Sequence, residues 1–229
     1  MEKTNKASHE VRRPARQALP IVVASPHSGR NYPVDFVAAS RLDPLTLRRS
    51  EDSFVDEIFG AAPELGVPLI TALFPRAYVD PNREPFELDP GMFADVLPDY
   101  ANTNSPRVAA GLGTIARVVA TGSDIYRDKL TFAEALKRIR NFYWPYHSAL
   151  KELVEETRER FGYCVLIDCH SMPSAGGPAD YDSAGGRQQV SRVDVVLGDC
   201  HGTSCADVLV DRAAETLNRQ GYRVTRNTP

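Results

Sequence analysis

Ile21-Val22-Val23-Ala24-Ser25-Pro26-His27-Ser28-Gly29 and, far downstream, Tyr163-Cys164-Val165-Leu166-Ile167-Asp168-Cys169-His170-Ser171-Met172-Pro173 are the two stretches that decide how this chain folds. Each is a short apolar run that stops at a turn carrying a histidine. Runs of four or five such residues, bounded by Ser, Pro and Gly, read as strands buried on both faces of a sheet. In an open α/β sheet, ligands bind outside the carboxyl ends of the strands. Two strand-end imidazoles with carboxylates nearby in sequence are what a catalytic metal site of the His/carboxylate/His kind needs. The reading is therefore of metal-dependent hydrolytic chemistry.

Working outward, further strand-like runs occur at Val67 to Ala72, Arg76 to Asp80, Val193 to Leu197 and Tyr222 to Thr225. Helical periodicity lies between several of them. From Thr131 to about Arg160, Leu136, Ile139, Tyr143, Tyr146, Leu150, Leu153 and Val154 recur at spacings of three and four, with charged residues on the other faces. Pro145 predicts a kink or break in that helix, and Gly162 its end. Two more helices are expected, one from Asp52 to about Leu65 and one from near Ser204 to Gly221. Alternating strand and helix argues for an α/β fold with a sheet covered on both faces. Two irregular stretches, Pro81 to Asn104 and Ser174 to Arg192, are long enough to be functional loops.

Composition narrows the class. With 229 residues, 42% hydrophobic and 25% charged, the chain is long enough to bury a core and is neither disordered nor fibrous. A net charge of -3 gives no reason to invoke nucleic acid or an anionic membrane surface, and no apolar run approaches the ~20 residues of a bilayer span. Met1 to Lys6 lacks the apolar core of a secretory signal, so a cytoplasmic, reducing environment is expected, with the four cysteines unpaired. Residues 1–19 read as a polar tail and 20–229 as a single domain.

Several strings point to one family when taken together. They are Ser25-Pro26-His27-Ser28-Gly29, Asp52-Ser53-Phe54-Val55, Pro75-Arg76-Ala77-Tyr78-Val79-Asp80-Pro81-Asn82-Arg83, Leu88-Asp89-Pro90, Tyr143-Trp144-Pro145-Tyr146-His147, Ile167-Asp168-Cys169-His170-Ser171-Met172 and Gly202-Thr203-Ser204. The chain resembles the N-formylglutamate amidohydrolase family, which is related to the zinc carboxypeptidases and aspartoacylases. The resemblance implies a three-layer α/β/α fold of the zinc-exopeptidase (phosphorylase/hydrolase-like) type, with a mixed, mostly parallel central sheet. It also implies hydrolysis of N-formyl-L-glutamate to formate and L-glutamate, a step of histidine degradation, with a small-molecule N-acyl amino acid as substrate and the oligomeric state left open. Another N-acyl amino acid or a small peptide is the alternative substrate, and a non-catalytic metal-binding protein derived from the family is the alternative class.

Carried over by the resemblance, His27 and His170 are imidazole ligands and Asp52 the carboxylate ligand of a divalent metal, best zinc. Adjacent side chains on a helix point about 100° apart, so only one of Glu51 and Asp52 can face the metal. Asn82 and Arg83, in Asp80-Pro81-Asn82-Arg83, are expected to hold a substrate carboxylate, since a guanidinium forks onto one through two parallel hydrogen bonds. Arg127 is a second candidate for a doubly carboxylated substrate. Asp168 is expected to orient an imidazole or close the turn, and Ser28 to bond backbone in its turn close to the ligands. No general base is assigned, because the family's glutamate falls in a segment expected beyond Pro229. The strand-like Tyr222 to Pro229 therefore suggests a truncated sequence.

Rival chemistries are weaker. Ser28 and Ser171 lack a Gly-x-Ser-x-Gly elbow. Cys169 and Cys200-His201-Gly202-Thr203-Ser204-Cys205 match no paired Cys-x2-Cys template, and the latter reads as a strand-to-helix turn capped by Thr203 or Ser204. His147 reads as a packed structural histidine, and His9 belongs to the tail.

Overall fold

The computed structural model describes residues 7–172 and 193–228, which fall into two compact units, Met1–Ser171 and Met172–Pro229. The first unit carries four strands: β1 (His9–Arg12), β2 (Ile21–Ser25), β3 (Leu69–Ala72) and β4 (Val165–Asp168). Its helices are α1 (Val34–Ala39), α2 (Pro44–Leu47), α3 (Val55–Ile58), α4 (Pro106–Ala109), α5 (Phe132–Arg138) and α6 (Trp144–Phe161). The second unit holds β5 (Val195–Leu197), α7 (Asp207–Arg219) and β6 (Val224–Arg226), with the two strands paired in parallel as the ends of a strand–helix–strand crossover.

The sheet of the first unit has the order β1-β3-β2-β4. β2 is parallel to both neighbours, β3 and β4, and only β1 runs antiparallel. The sheet is mixed and mostly parallel, as the sequence suggests. Val22, Val23, Ala24, Leu69 and Ile70 are buried, so the central strands need no polar face. α6 packs on β1, β2 and β3. Its Leu153 is fully buried, a side chain whose removal from water is worth roughly 1.5–3 kcal/mol.

Register brings the two histidines together. Ala24 lies opposite Asp168 in the parallel β2–β4 pair, and the Cys169 N–H continues the ladder to the Ala24 carbonyl at 2.8 Å. His27 follows Ala24 by three residues and His170 follows Asp168 by two. Adjacent strands sit ~4.8 Å apart, so the two imidazoles leave the same sheet end as neighbours.

Five local expectations are corrected. His9–Arg12, assigned to the polar tail, forms an edge strand whose Val11 pairs with Ile70. Arg76–Asp80 is a turn, opened by Pro75, whose carbonyl accepts from the N–H groups of Tyr78 and Val79. The helix expected from Asp52 to Leu65 breaks into α3 and a 3-10 turn over Ala62–Leu65, because Phe54 adopts a left-handed φ of 67° and Pro63 interrupts the donors. The long helix is continuous but irregular: a π-helical turn over Ile139–Tyr143 joins α5 to α6 immediately before Pro145. α7 starts at Asp207 with no side-chain cap, the Thr203 hydroxyl donating instead to the Cys200 carbonyl. Gly162 does end α6, in the left-handed conformation at φ 85°. Loop 81–104 is irregular apart from a 3-10 turn at Pro90–Met92, and residues 174–192 lie outside those described.

Candidate metal centre

His27 stands in the turn after β2 and is 1% exposed. Its carbonyl accepts from the Asp52 N–H at 3.1 Å, which fastens the Asp52 segment to the β2 turn. The ring is held on one side only. Nε2 donates to Asp80 Oδ1 at 2.8 Å, while Nδ1 is buried, makes no hydrogen bond and faces Asp52 Oδ2 at 3.5 Å. His170 repeats the arrangement. Nδ1 meets Asp52 Oδ2 at 3.0 Å, and Nε2 donates to Asp168 Oδ2 at 2.9 Å. The ring centroids are 4.8 Å apart.

One ligand atom from each of His27, Asp52 and His170 lies within 4.8 Å of the others, the sole such group of metal-binding side chains among the described residues. Both Nδ1 atoms address one carboxylate oxygen, and each Nε2 atom is tied to a further carboxylate of its own, Asp80 for His27 and Asp168 for His170. That is the pattern of imidazoles oriented for a metal, each giving its other N–H to an acid that fixes the tautomer. The orphaned Nδ1 of His27 is the sharpest sign: a buried donor or acceptor without a partner is costly, and a cation between the rings satisfies it. The donor set, two nitrogens and one carboxylate oxygen, leaves a coordination position open. These residues can bind a metal ion.

Charge supports the geometry. Burial opposes ionisation of Asp52, but the hydrogen bond from His170 and the adjacent His27 ring hold it well below the usual carboxylate range. Asp80, also opposed by burial, is held equally low by His27, Arg76 and Arg83. Burial works against a charged His170, yet its bonds to Asp168 and Asp52 push it up to about 9 in the metal-free arrangement.

Glu51, the neighbour of Asp52, turns away and binds Arg48 through both carboxylate oxygens. Asn82 lies beside the centre, its amide nitrogen 3.3 Å from His170 Nε2. That ring nitrogen has one proton to give and Asp168 takes it, so the amide is a close neighbour with its own donors to spare. Arg83 reaches Asp80 at 3.8 Å while its Nε donates to the Leu112 carbonyl and its Nη1 to that of Asn82. Ser28 bonds backbone: its hydroxyl accepts from the Asp56 N–H in α3 and pairs with the Ser25 hydroxyl. Arg127 is not brought to the centre. Its Nε donates to the Ser40 carbonyl, and it lines a cavity with Arg41, Arg117 and Lys129 whose walls include none of His27, Asp52 or His170. Cys169 is buried with its thiol pushed up to about 12, an inert core residue.

The missed residue is Asp80, which takes the His27 proton and is braced by Arg76 at 2.8 Å. Its signal lay in the sequence: an acid two residues before the Asn-Arg pair has to be used by something, and His27 lacked a partner.

Comparison with known proteins decides the family. The model of the family described as N-formylglutamate amidohydrolase matches residues 19–229. The chain belongs to the N-formylglutamate amidohydrolase family. The crystal structure of an N-formylglutamate amidohydrolase from Ralstonia eutropha JMP134 superposes with a TM-score of 0.86 at 38% identity, over 97% of this chain and 77% of that one. An N-formylglutamate deformylase of Pseudomonas putida is 26% identical over 85% of this chain, which spans 64% of that protein's length. A second N-formylglutamate deformylase, from Pseudomonas aeruginosa, is 25% identical over 90% of this chain and 70% of its own length. A protein of Agrobacterium tumefaciens shares the fold at TM-score 0.68 and 16% identity.

Proposed function

We propose that this chain is a zinc-dependent amidohydrolase that cleaves N-formyl-L-glutamate to formate and L-glutamate. Water adds its oxygen to the formyl carbon, the C–N bond breaks, and the departing nitrogen takes a proton. One observation carries the reading: two imidazole Nδ1 atoms and Asp52 Oδ2 converge, one of them a buried nitrogen that nothing among the described residues satisfies. His27, Asp52 and His170 are assigned as ligands, with Asp80 and Asp168 holding the ring tautomers. A zinc ion held there supplies Lewis acidity toward the formyl oxygen and lowers the pKa of a water toward ~7. The protein's own part is orientation. Asn82 offers its amide beside His170, and Arg83 the N–H groups left over from its bonds to the Leu112 and Asn82 carbonyls, to a substrate carboxylate. Arg127 is given no part.

The reading includes the zinc-exopeptidase-like, three-layer architecture of the family, one domain over 20–229, a cytoplasmic place in histidine degradation, and a small-molecule substrate as the partner. Among the described residues no helix is long and apolar enough to cross a membrane. The test is formate release from a panel of N-acyl amino acids, with zinc-loaded and chelator-stripped protein. N-Formyl-L-glutamate is expected to be turned over fastest, and only with metal. Turnover that survives stripping refutes the metal; faster turnover of an uncharged N-formyl amino acid refutes the substrate.

A further inference from the structure

The segment Tyr143-Trp144-Pro145-Tyr146-His147 lies far in sequence from the metal centre, yet two of its side chains reach the loop beside it. The Tyr143 hydroxyl donates to the Arg83 carbonyl at 2.7 Å, and His147 Nε2 meets the Pro81 carbonyl at 2.8 Å. Between those two carbonyls stands that of Asn82, which accepts from Arg83's own guanidinium. Upstream, the Asp80 N–H donates to the Thr114 carbonyl at 2.8 Å, and the Asn82 N–H to Asp80 Oδ1 at 2.9 Å. All three carbonyls of 81–83 are therefore engaged. The side chains of the same loop are those that hold His27, flank His170 and present a guanidinium.

The helix is built to make this reach. Tyr143 and His147 are four residues apart, so they share a face, and their rings lie 4.2 Å apart. The π-helical turn over Ile139–Tyr143 inserts one extra residue, with the Trp144 N–H bonding to the Ile139 carbonyl. Pro145 follows, where a missing N–H is tolerated because the ladder has already shifted. With that offset, Ile139, Tyr143, Tyr146 and Leu153 all lie in the core, from which the Tyr143 hydroxyl and the His147 ring reach the loop.

We propose that Tyr143 and His147 are positioning residues that clamp the Asp80–Arg83 loop by its carbonyls and so set where Asn82 and Arg83 meet the substrate carboxylate. The proposal rests on the amidohydrolase reading above. A small misplacement of binding groups costs from about tenfold to about a hundredfold. The experiment uses the full chain as wild type, Tyr143→Phe, His147→Leu and His147→Gln. Zinc affinity is read by chelator competition, L-glutamate binding to the zinc-loaded protein by calorimetry, and KM and kcat by formate release. Tyr143→Phe and His147→Leu are expected to weaken glutamate binding and raise KM at least about tenfold, with zinc affinity and kcat within about threefold of wild type. His147→Gln, whose amide can donate from nearly the same place, restores both. Unchanged KM and glutamate affinity in the first two variants overturn the clamp. So does a His147→Gln protein as impaired as His147→Leu, since packing alone then explains the loss. A wild type that binds no glutamate and releases no formate brings down the functional reading itself, and the clamp's purpose with it.

Discussion

Replacing Asp80 by Asn is the most searching perturbation of the centre, because it keeps the shape and changes only what the side chain accepts. Asp80 Oδ1 takes two donors, His27 Nε2 and the Asn82 N–H, and Oδ2 takes Arg76 Nη2 at 2.8 Å. An asparagine has one oxygen. If that oxygen stays at Oδ1, the amide NH2 faces Arg76, donor against donor. If it moves to Oδ2, the NH2 faces His27 and can only donate to Nε2, which forces the ring proton onto Nδ1, where a metal has to bind. Either outcome degrades the ligand without touching it. Loss of such a supporting carboxylate costs about 10–100-fold in metal affinity, or roughly 1.4–2.8 kcal/mol. The assay is competition for zinc against a chromophoric chelator near neutral pH, with thermal unfolding of the metal-free protein in parallel. Asp80 is 4% exposed, so some loss of stability is expected as well. The reasoning is refuted if Asp80→Asn holds zinc within twofold of wild type while Asp52→Asn loses it.

Five further outcomes follow from the structure. His170→Ala, or Asp52→Asn, leaves two of three ligands and is expected to abolish stoichiometric zinc binding with the fold intact, as judged by elemental analysis and circular dichroism. In the metal-free protein, Asp52 and Asp80 are depressed on folding, so the stability they contribute is full above ~4 and is lost as pH falls below it. His170 is raised to about 9, so its contribution is full below ~6.5 and lost as pH rises through about 9. A melting temperature that keeps climbing from pH ~6.5 to ~9 contradicts this assignment. Zinc then has to displace the His170 Nδ1 proton, and calorimetry at neutral pH in buffers of different ionisation enthalpy is expected to show proton release. Arg83→Lys keeps the charge but gives up the bonds to the Leu112 and Asn82 carbonyls, and is expected to raise KM for formylglutamate about tenfold or more with zinc affinity unchanged. Gly29→Ala puts a methyl 2.0 Å from the Phe74 carbonyl oxygen, a backbone atom that no rotamer can move. It is expected to cost at least ~3 kcal/mol, read by denaturant unfolding.

The histidines and the acid were legible because each sits where a local rule speaks. A short apolar run ending in Ser-Pro-His-Ser-Gly, or in Asp-Cys-His-Ser-Met-Pro, marks a strand and its functional end. The parallel β2–β4 pairing then places both rings on one side without further information. Choosing Asp52 over Glu51 rested on the family string, and the structure explains it: Arg48, three residues back, claims Glu51. What stayed hidden was non-local. Asp80 finds His27 across 53 positions, and Tyr143 finds Arg83 across 60. The left-handed Phe54 that breaks the expected helix is a conformation that bulky residues rarely adopt, so propensity argues against it. Arg127 was likewise not placed by sequence alone. Offered as a second candidate for a doubly carboxylated substrate, it has its Nε on the Ser40 carbonyl and lines a separate cavity.

The arrangement of charge accounts for how the proposed metal and anionic substrate would share one site. Around the two imidazoles stand Asp52, Asp80 and Asp168, opposed by Arg76 and Arg83. With both rings neutral the group carries one surplus negative charge, and protonating His170 cancels it. Exchanging that proton for a divalent cation leaves one surplus positive charge instead. Its outlet is the His170 side, where the imidazole is 33% and Asp168 40% exposed, while His27 stays sealed below. A carboxylate ~6 Å from such a charge gains about 3 kcal/mol at an effective dielectric of ~20. The three acids make the centre hospitable to a cation, a divalent ion held there would outweigh them and make it hospitable to an anion, and Asn82 and Arg83 lie beside it to give that anion a direction.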